Sequence, residues 1–378
     1  MKKIIVFLRH NNDIDHISPI IYKWITTKNI PVDINITSKK EFLDDYRIKY
    51  LKEQVKSLEC NDVHFYYFSK LKKTKSFLEH YFSENRDTLV CLDWNSDDFA
   101  RRVYEIAKRN LCTVIALPHG DEPFWNLIQR EEDINYAHSL QPYLKRSFFD
   151  YIVVPNQLCA NHYKFMNQNE IKILGSPRYC DEWLKIHNQI KPHNKELSIN
   201  RPLKVVLFLR NKHWNINWQE VATNIKLITQ YNEIFLIVRN HPRGTMTYDL
   251  LKNHPWMRKQ KNLLIDSEIN SSVLMDWSDV ILDLGTSVTW ESVKNNKPTV
   301  MLEHLHANVT TIAHYMPKTI IHSRDELLDT LRKFYKNKKR KWCRESNRQK
   351  FINDIIDCPD NNVLERYCNF LESLINGN

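Results

Sequence analysis

The sequence predicts an α/β chain made of two parallel-sheet domains, with further helices after the second. Three observations carry this. Short β-branched or apolar runs alternate with helical periods along most of the 378 residues, the rhythm of βαβ units covered on both faces. A polar stretch near residues 185–202, containing Lys191-Pro192-His193-Asn194-Lys195, has no apolar period and reads as a linker. The alternation then restarts, and the length suits two domains of ordinary size.

The elements follow in order. Ile4–Leu8 reads as a strand, and a helix is expected from Ser18 with Pro19 at its first position. Val32–Ile36, Val63–Tyr67, Thr88–Leu92, Thr113–Leu117, Tyr151–Val154 and Ile171–Leu174 read as further strands, with helices such as Phe42–Leu58 and Phe99–Arg109 among them. After the linker, strands are expected at Lys204–Leu209, Ile234–Val238, Leu263–Ile265, Val280–Leu282 and Thr299–Leu302, with a helix at Trp218–Gln230. Ser323, followed by Asp325 and Glu326, has the pattern of a helix N-cap. Two helical segments, Asn347–Ile356 and Asn361–Ile375, come last. The expected domains are thus 1–190, 203–345 and a C-terminal helical piece, 346–378. Two Rossmann-like domains of similar size facing a cleft form the architecture called GT-B, found in nucleotide-sugar transferases. Periodicity gives the two α/β domains and leaves the enzyme class open.

Bulk properties narrow the classes. With 42% hydrophobic residues, 16 Phe, 17 Tyr and 10 Trp, the chain can fill two cores. The apolar run after Lys2-Lys3 stops at Arg9, too soon for a signal-peptide core. No stretch approaches the roughly 18 apolar residues of a membrane span. The eight cysteines show no metal spacing and read as reduced core residues, so a cytoplasmic protein is expected. The net charge of +10 suits an anionic partner. The run Lys333–Arg344 reads either as a solvated helix end or as a dock for acidic lipid headgroups on the inner face of the membrane. No nucleic-acid signature is present.

Glycine is scarce, five in 378, against roughly 7% in average proteins. The survivors are candidates for positions that need φ > 0 or close approach to a ligand. Gly377 is in the tail; Gly120, Gly175, Gly244 and Gly285 each lie near the end of an expected strand, where open α/β sheets bind ligands. Around them lie the residues with chemistry. Arg239-Asn240-His241-Pro242-Arg243-Gly244 closes a buried strand with groups that suit phosphate. Gly285-Thr286-Ser287 opens a helix, whose free N–H groups also suit phosphate. Glu291, one turn further, is placed for a ribose hydroxyl or for the helix dipole. Pro118-His119-Gly120-Asp121-Glu122 sets an imidazole and two carboxylates after a strand, with His119 or Glu122 the candidate base. The polar stretch His10–His16 reads as a loop facing the same cleft, with Asp13, Asp15 and His16 as candidates for acceptor binding or catalysis. Arg210 follows the first strand of the second domain and is placed to approach phosphates or acceptor.

In this order the motifs resemble the CDP-glycerol glycerophosphotransferase family of wall teichoic acid synthesis. The likeness rests on His119-Gly120, Gly175-Ser176-Pro177-Arg178, Arg239-Asn240-His241-Pro242, Ser278-Asp279 through Thr286-Ser287, and Lys297-Pro298, over residues 113–303. It implies His119 as catalytic base, and His241, Thr286 and Ser287 as binders of the donor's phosphates. The chain departs from that family at Pro118, at Glu122, and in the extra residue of Asp283-Leu284-Gly285-Thr286-Ser287. Bacterial sialyltransferases and β-Kdo transferases, which use CMP-sugars, are similar in the His-Pro and paired-hydroxyl elements; on that likeness Asp121 or Glu122 is catalytic. Both imply a cytidine-nucleotide donor and a glycan or lipid-linked acceptor at the cell surface, with no cofactor. Asp13-x-Asp15 has a pattern that could hold a divalent metal, but GT-B enzymes generally need none for the donor, so no metal is expected. An ordinary UDP- or GDP-sugar transferase, a nucleotide-sugar 2-epimerase and a non-catalytic scaffold are the alternatives.

Overall fold

A computed structural model of the chain describes residues 3–119, 148–192, 197 and 202–377, except 29, 38–39, 61, 70–71, 73, 95–96, 165–169, 211–215, 242–245, 307–309 and 358–359. The described residues divide into two units. One takes 3–119, 148–190 and 353–377; the other takes 191–352.

The first unit runs β1 (Ile4–Leu8), α1 (Asn11–Thr27), β2 (Val32–Ile36), α2 (Tyr46–Ser57), β3 (Val63–Tyr67), α3 (Lys75–Glu84), β4 (Leu89–Asp93), α4 (Asp98–Arg109), β5 (Thr113–Leu117), β6 (Tyr151–Val154), α5 (Gln157–Lys164), β7 (Glu170–Ile173) and α6 (Asp181–Ile190). Its strands form a parallel seven-stranded sheet in the order β3-β2-β1-β4-β5-β6-β7. Both faces are covered, which explains the unbroken apolar runs. Ile4, Val6 and Leu8 join the core with Ile14, Ile17, Ile21 and Trp24 of α1. On the other face Phe7 meets Phe68 and Phe99 edge-on.

The helix expected from Ser18 begins seven residues earlier, at Asn11, and Pro19 lies inside it. The polar stretch is therefore a helix start. The Asp13 carboxylate accepts hydrogen bonds from the backbone N–H groups of Arg9, at 2.6 Å, and His10, at 2.9 Å. That satisfies donors a helix start otherwise leaves open, and tertiary burial of the Ile14–Ile25 face outweighs the cost of an internal proline.

The second unit runs β8 (Leu203–Phe208), α7 (Trp218–Thr229), β9 (Ile234–Arg239), α8 (Met246–Asn253), β10 (Leu263–Asp266), α9 (Ser271–Trp277), β11 (Val280–Asp283), α10 (Val288–Lys294), β12 (Thr299–Leu302), α11 (Thr311–Tyr315), β13 (Ile320–Ile321), α12 (Arg324–Lys336) and α13 (Glu345–Phe351). Its parallel six-stranded sheet has the order β10-β9-β8-β11-β12-β13. Ser323 caps α12 as its sequence pattern indicates, accepting from Glu326 N at 3.2 Å. The two-residue β13 is too short to carry a period, and the sequence gives no sign of it.

Residues 346–378, read from sequence as a separate piece, divide between the units. α13 stays with the second. A π-helical turn at Ile352–Asp357 leads to α14 (Val363–Asn376), which packs on α1 through Val363, Leu364, Tyr367 and Leu371. Its anchor is the turn at Gly175. Arg366 donates to the Leu174 carbonyl, at 3.0 Å, and to that of Asp357, at 2.6 Å; the Tyr367 hydroxyl donates to the Gly175 carbonyl at 3.0 Å. Gly175 has φ +88°, and a Cβ there would lie 2.8 Å from both Arg366 Nη2 and Val363 Cγ2. Gly175→Ala should destabilise the first unit by roughly 1–3 kcal/mol, by strain and by pushing α14 away; a lowered urea midpoint checks this.

Cys60, Cys91, Cys112, Cys159, Cys180, Cys343 and Cys368 are free thiols. Among the described residues no helix is long and apolar enough to cross a membrane. The basic run is partly engaged: Lys333 pairs with Asp329, Lys338 pairs with Asp279 at 2.8 Å, and Arg340 lies over the Phe334 ring.

Candidate functional site

In each sheet the strand order reverses beside its first strand: between β1 and β4 in the first unit, and between β8 and β11 in the second. At such a reversal the crossover helices leave on opposite faces, opening a crevice at the carboxyl ends of the strands. In both units the charged residues that end these strands are buried there.

In the first unit Arg9 and His10 follow β1, Asp93 ends β4, His119 lies two residues past β5, and Asp13 sits in the first turn of α1. The Asp13 and Asp93 side chains are fully buried. His119 Nδ1 lies 2.9 Å from Asp13 Oδ1 and 2.8 Å from Asp93 Oδ2. Arg9 donates from Nε to Asp93 Oδ1 at 2.7 Å, pairs with it through Nη2 as well, and reaches Asp97 Oδ1 at 2.5 Å. Asp97 in turn caps α4, accepting from Ala100 N at 2.8 Å.

This geometry sets the charges. Burial favours neutral His119, but the hydrogen bonds and charges of Asp13 and Asp93 prevail and raise its pKa to about 9. A shift in that direction favours the imidazolium at neutral pH, with Nδ1 turned to the carboxylates. Burial would raise the Asp93 pKa, yet His119 and Arg9 hold it well below the usual carboxylate range. His10, whose ring lies 5.7 Å from that of His119 and nearly perpendicular to it, is shifted the other way, below 6.5, chiefly by burial. One ligand atom from each of Asp13, Asp93 and His119 lies within 4.8 Å of the others, so the group has metal-binding spacing. Arg9 already pairs with Asp93 there, so a cation would compete with an existing ion pair.

Asp15, two residues along α1, belongs to another network. It pairs with Arg47 and, at 3.2 Å, with Arg178; these hold its pKa down against burial, Arg178 foremost. A carboxylate so held is a weak base and a strong ion-pair partner. His16 is buried on the same helix and kept neutral by that burial. Gly120, Asp121 and Glu122 lie outside the described residues.

In the second unit Arg210 follows β8, Arg239 ends β9, and Asp283 ends β11. Arg239 is 7% exposed and reaches Asp266 at 3.4 Å through Nε; its Nε and Nη1 have no hydrogen-bond partner among the described residues. Burial pulls its pKa down. Arg210, also buried, donates to the Leu284 carbonyl at 3.3 Å. Gly285, at φ +82°, packs against it: a Cβ there would lie 2.7 Å from Arg210 Nη1 and 2.9 Å from Thr310 Cγ2. The buried Thr310 hydroxyl has no hydrogen-bond partner among the described residues. The turn is built on Asp283, which accepts from Thr286 N at 2.9 Å, from the Thr286 hydroxyl at 2.7 Å and from the Thr289 hydroxyl. The Thr286 proton, expected from sequence to point at phosphate, is thus directed at Asp283. Ser287 occupies the N-cap position of α10 without a capping bond from its side chain, and Glu291 is buried in that helix. His241 is half-buried two residues past β9; Pro242 lies outside the described residues.

Sequence reasoning singles out His119 and Arg239 but passes over Arg9 and Asp93. Their signal is a charge closing an apolar run, as in Ile4-Ile5-Val6-Phe7-Leu8-Arg9 and Leu89-Val90-Cys91-Leu92-Asp93. It gains meaning only once β1 and β4 are known to be neighbours.

No protein-family model matches the chain, and no curated protein matches its sequence. Solved structures do resemble it. The S. aureus MnaA–UDP co-structure matches with TM-score 0.64 at 13% identity, over 100% of this chain and 97% of that one. The Methanocaldococcus jannaschii UDP-GlcNAc 2-epimerase in complex with UDP-GlcNAc and UDP matches with TM-score 0.59 at 16% identity, over 98% and 99%. A glycosyltransferase from Rickettsia africae ESF-5 matches with TM-score 0.58 at 11% identity, over 100% and 99%. At such identities the likeness is one of fold, and with the two parallel sheets it gives the chain the GT-B fold.

Proposed function

We propose that this protein is a glycosyltransferase acting on a uridine-diphosphate-linked sugar. The observation that supports it most is Arg239: a buried guanidinium at the carboxyl end of a strand, with Nε and Nη1 lacking hydrogen-bond partners among the described residues. Burying an under-compensated cation costs several kcal/mol, and a phosphate accepting its N–H groups would recover that through charge-assisted bonds. Arg210, Thr310 and the Gly285 turn, with His241 and Ser287, complete the proposed phosphate site. Glu291 is the proposed ribose partner. In the first unit, His119 is the proposed catalytic group, held by Asp13 and Asp93, with Asp121 and Glu122 after it in sequence.

The nucleotide is proposed to be uridine because the MnaA and M. jannaschii structures carry UDP; the comparisons do not bring out a likeness to the CDP-glycerol family, so its cytidine donor is not carried forward. The acceptor remains a hydroxyl of a surface glycan or lipid-linked glycan. C2 epimerisation of the same donor is the second reading, favoured by the M. jannaschii match.

Ligand-induced thermal stabilisation with UDP, UMP, CDP, CMP and GDP tests the nucleotide. UDP at a hundredfold excess over its Kd should stabilise the folded state by about 2.7 kcal/mol, and Arg239→Met should abolish the effect. Preference for CDP or CMP would restore the cytidine donor. Silence with every nucleotide would sink the proposal. Proton NMR of UDP-GlcNAc incubated with enzyme separates the two readings: a new nucleotide-sugar without acceptor means epimerisation, and UDP release that needs acceptor means transfer.

A further inference from the structure

We propose that His10 and His119 act as a base–acid pair: His10 takes the proton of the attacking hydroxyl, and His119 gives a proton from Nε2 to the substrate oxygen that gains negative charge. This rests on the reading of the protein as a sugar-transfer enzyme and adds to it a second imidazole with the opposite task.

Geometry carries the pairing. The rings are 5.7 Å apart between centroids, at 79°. One carboxylate positions both residues: Asp13 Oδ2 accepts from the His10 backbone N–H, and Asp13 Oδ1 holds His119 Nδ1. Asp93, locked by Arg9, holds the same Nδ1, so His119 works through Nε2 alone. Among the described residues, Asp13, Asp93, His119 and Arg9 act on His10, and Asp13 and Asp93 act on His119, with His16 within electrostatic reach. Two like groups driven to opposite protonation states by their surroundings mark an acid and a base. The directions here are down for His10 and up for His119.

The protons balance. The acceptor O–H bond breaks, its proton goes to His10, and its electron pair forms the new bond to the anomeric carbon. The old carbon–oxygen bond breaks, its pair stays on the leaving oxygen, and that oxygen takes the His119 proton. One proton transfer from His10 to His119, directly or through water, then resets the pair.

The test is the pH profile of kcat/KM with a UDP-sugar, for wild type, His10→Gln and His119→Gln, beside a titration of ¹³C-labelled histidine resonances in the resting protein. Wild type should give a bell with its acid limb below 6.5 and its base limb near 9. His10→Gln should lose about 100- to 10,000-fold in rate and the acid limb, while UDP stabilisation persists; His119→Gln should lose the base limb. The His10 substitution leaves the backbone N–H that Asp13 holds, and the glutamine side-chain oxygen can replace the imidazole as acceptor in the capping box at the helix start. Retention of the acid limb, or a loss below about tenfold, in His10→Gln overturns the pair. The titration needs no substrate: His10 and His119 titrating on opposite sides of 6.5 support it, and both titrating together overturn it. Absence of UDP binding and turnover would sink the functional reading and with it the pair's part in transfer, whereas UDP binding and turnover with the acid limb kept in His10→Gln would sink the pair alone.

Discussion

Asp93→Asn should lower the stability of the protein by about 3–5 kcal/mol, the usual loss when one member of a buried ion pair is removed. Asp93 is fully buried and receives Arg9 through Nε and Nη2, with His119 on its other oxygen. The neutral amide matches it in shape, so the loss is electrostatic: Arg9 is left with Asp97 as its ion-pair partner, and His119 with Asp13. The direction of the Asp93 shift also fixes a pH dependence. A carboxyl held below its ordinary value in the folded state stabilises the protein above the ordinary pKa of 3.8 and loses that contribution as pH falls. Urea unfolding at pH 7 measures the first effect. An Asn variant as stable as wild type would show that solvent or relaxation already screens the cluster.

The second large effect runs the other way with pH. His119 is raised from 6.5 to about 9, so between those values the folded protein binds a proton that the unfolded chain has released. The contribution is full below 6.5 and is lost as pH rises to about 9. Moving a pKa by one pH unit corresponds to about 1.36 kcal/mol, so the whole change is about 3 kcal/mol. Denaturant midpoints taken from about pH 6 to 9.5 should fall in wild type, and this component should vanish in His119→Asn. An equal fall in both would assign it to other groups.

The second effect bears on how His119 works. The resemblance implies a base. An imidazole whose pKa is raised to about 9 is a poor base at neutral pH, and the proposal gives that task to His10, which in the sequence is only one member of a polar stretch. That stretch reads as a loop because its residues individually favour loops. Nothing local announces that Asp13 will take the N–H groups of Arg9 and His10, and Pro19 argues for a later start. The strands are legible for the opposite reason. Runs such as Ile4–Leu8 and Ile234–Arg239 are buried on both faces, so their composition alone marks them. What the sequence hides is pairing across the sheet: Arg9 and Asp93 are 84 positions apart. The scarcity of glycine is a sound guide at two places, Gly175 and Gly285, where φ is positive and neighbours leave no room for a Cβ. It says nothing of Glu59, Asp87, Leu111 and Asn296, which hold positive φ without glycine.

The return of α14 to the first unit bears on how the polypeptide is made. Val363, Leu364, Tyr367 and Leu371 belong to the core that buries α1 and β1, yet they are translated after the whole of residues 191–352. Domains ordinarily fold in order of synthesis. Here the second unit has all its own strands in hand while the first still lacks a helix. The part of that core which α14 closes therefore stays open while residues 191–352 are being made.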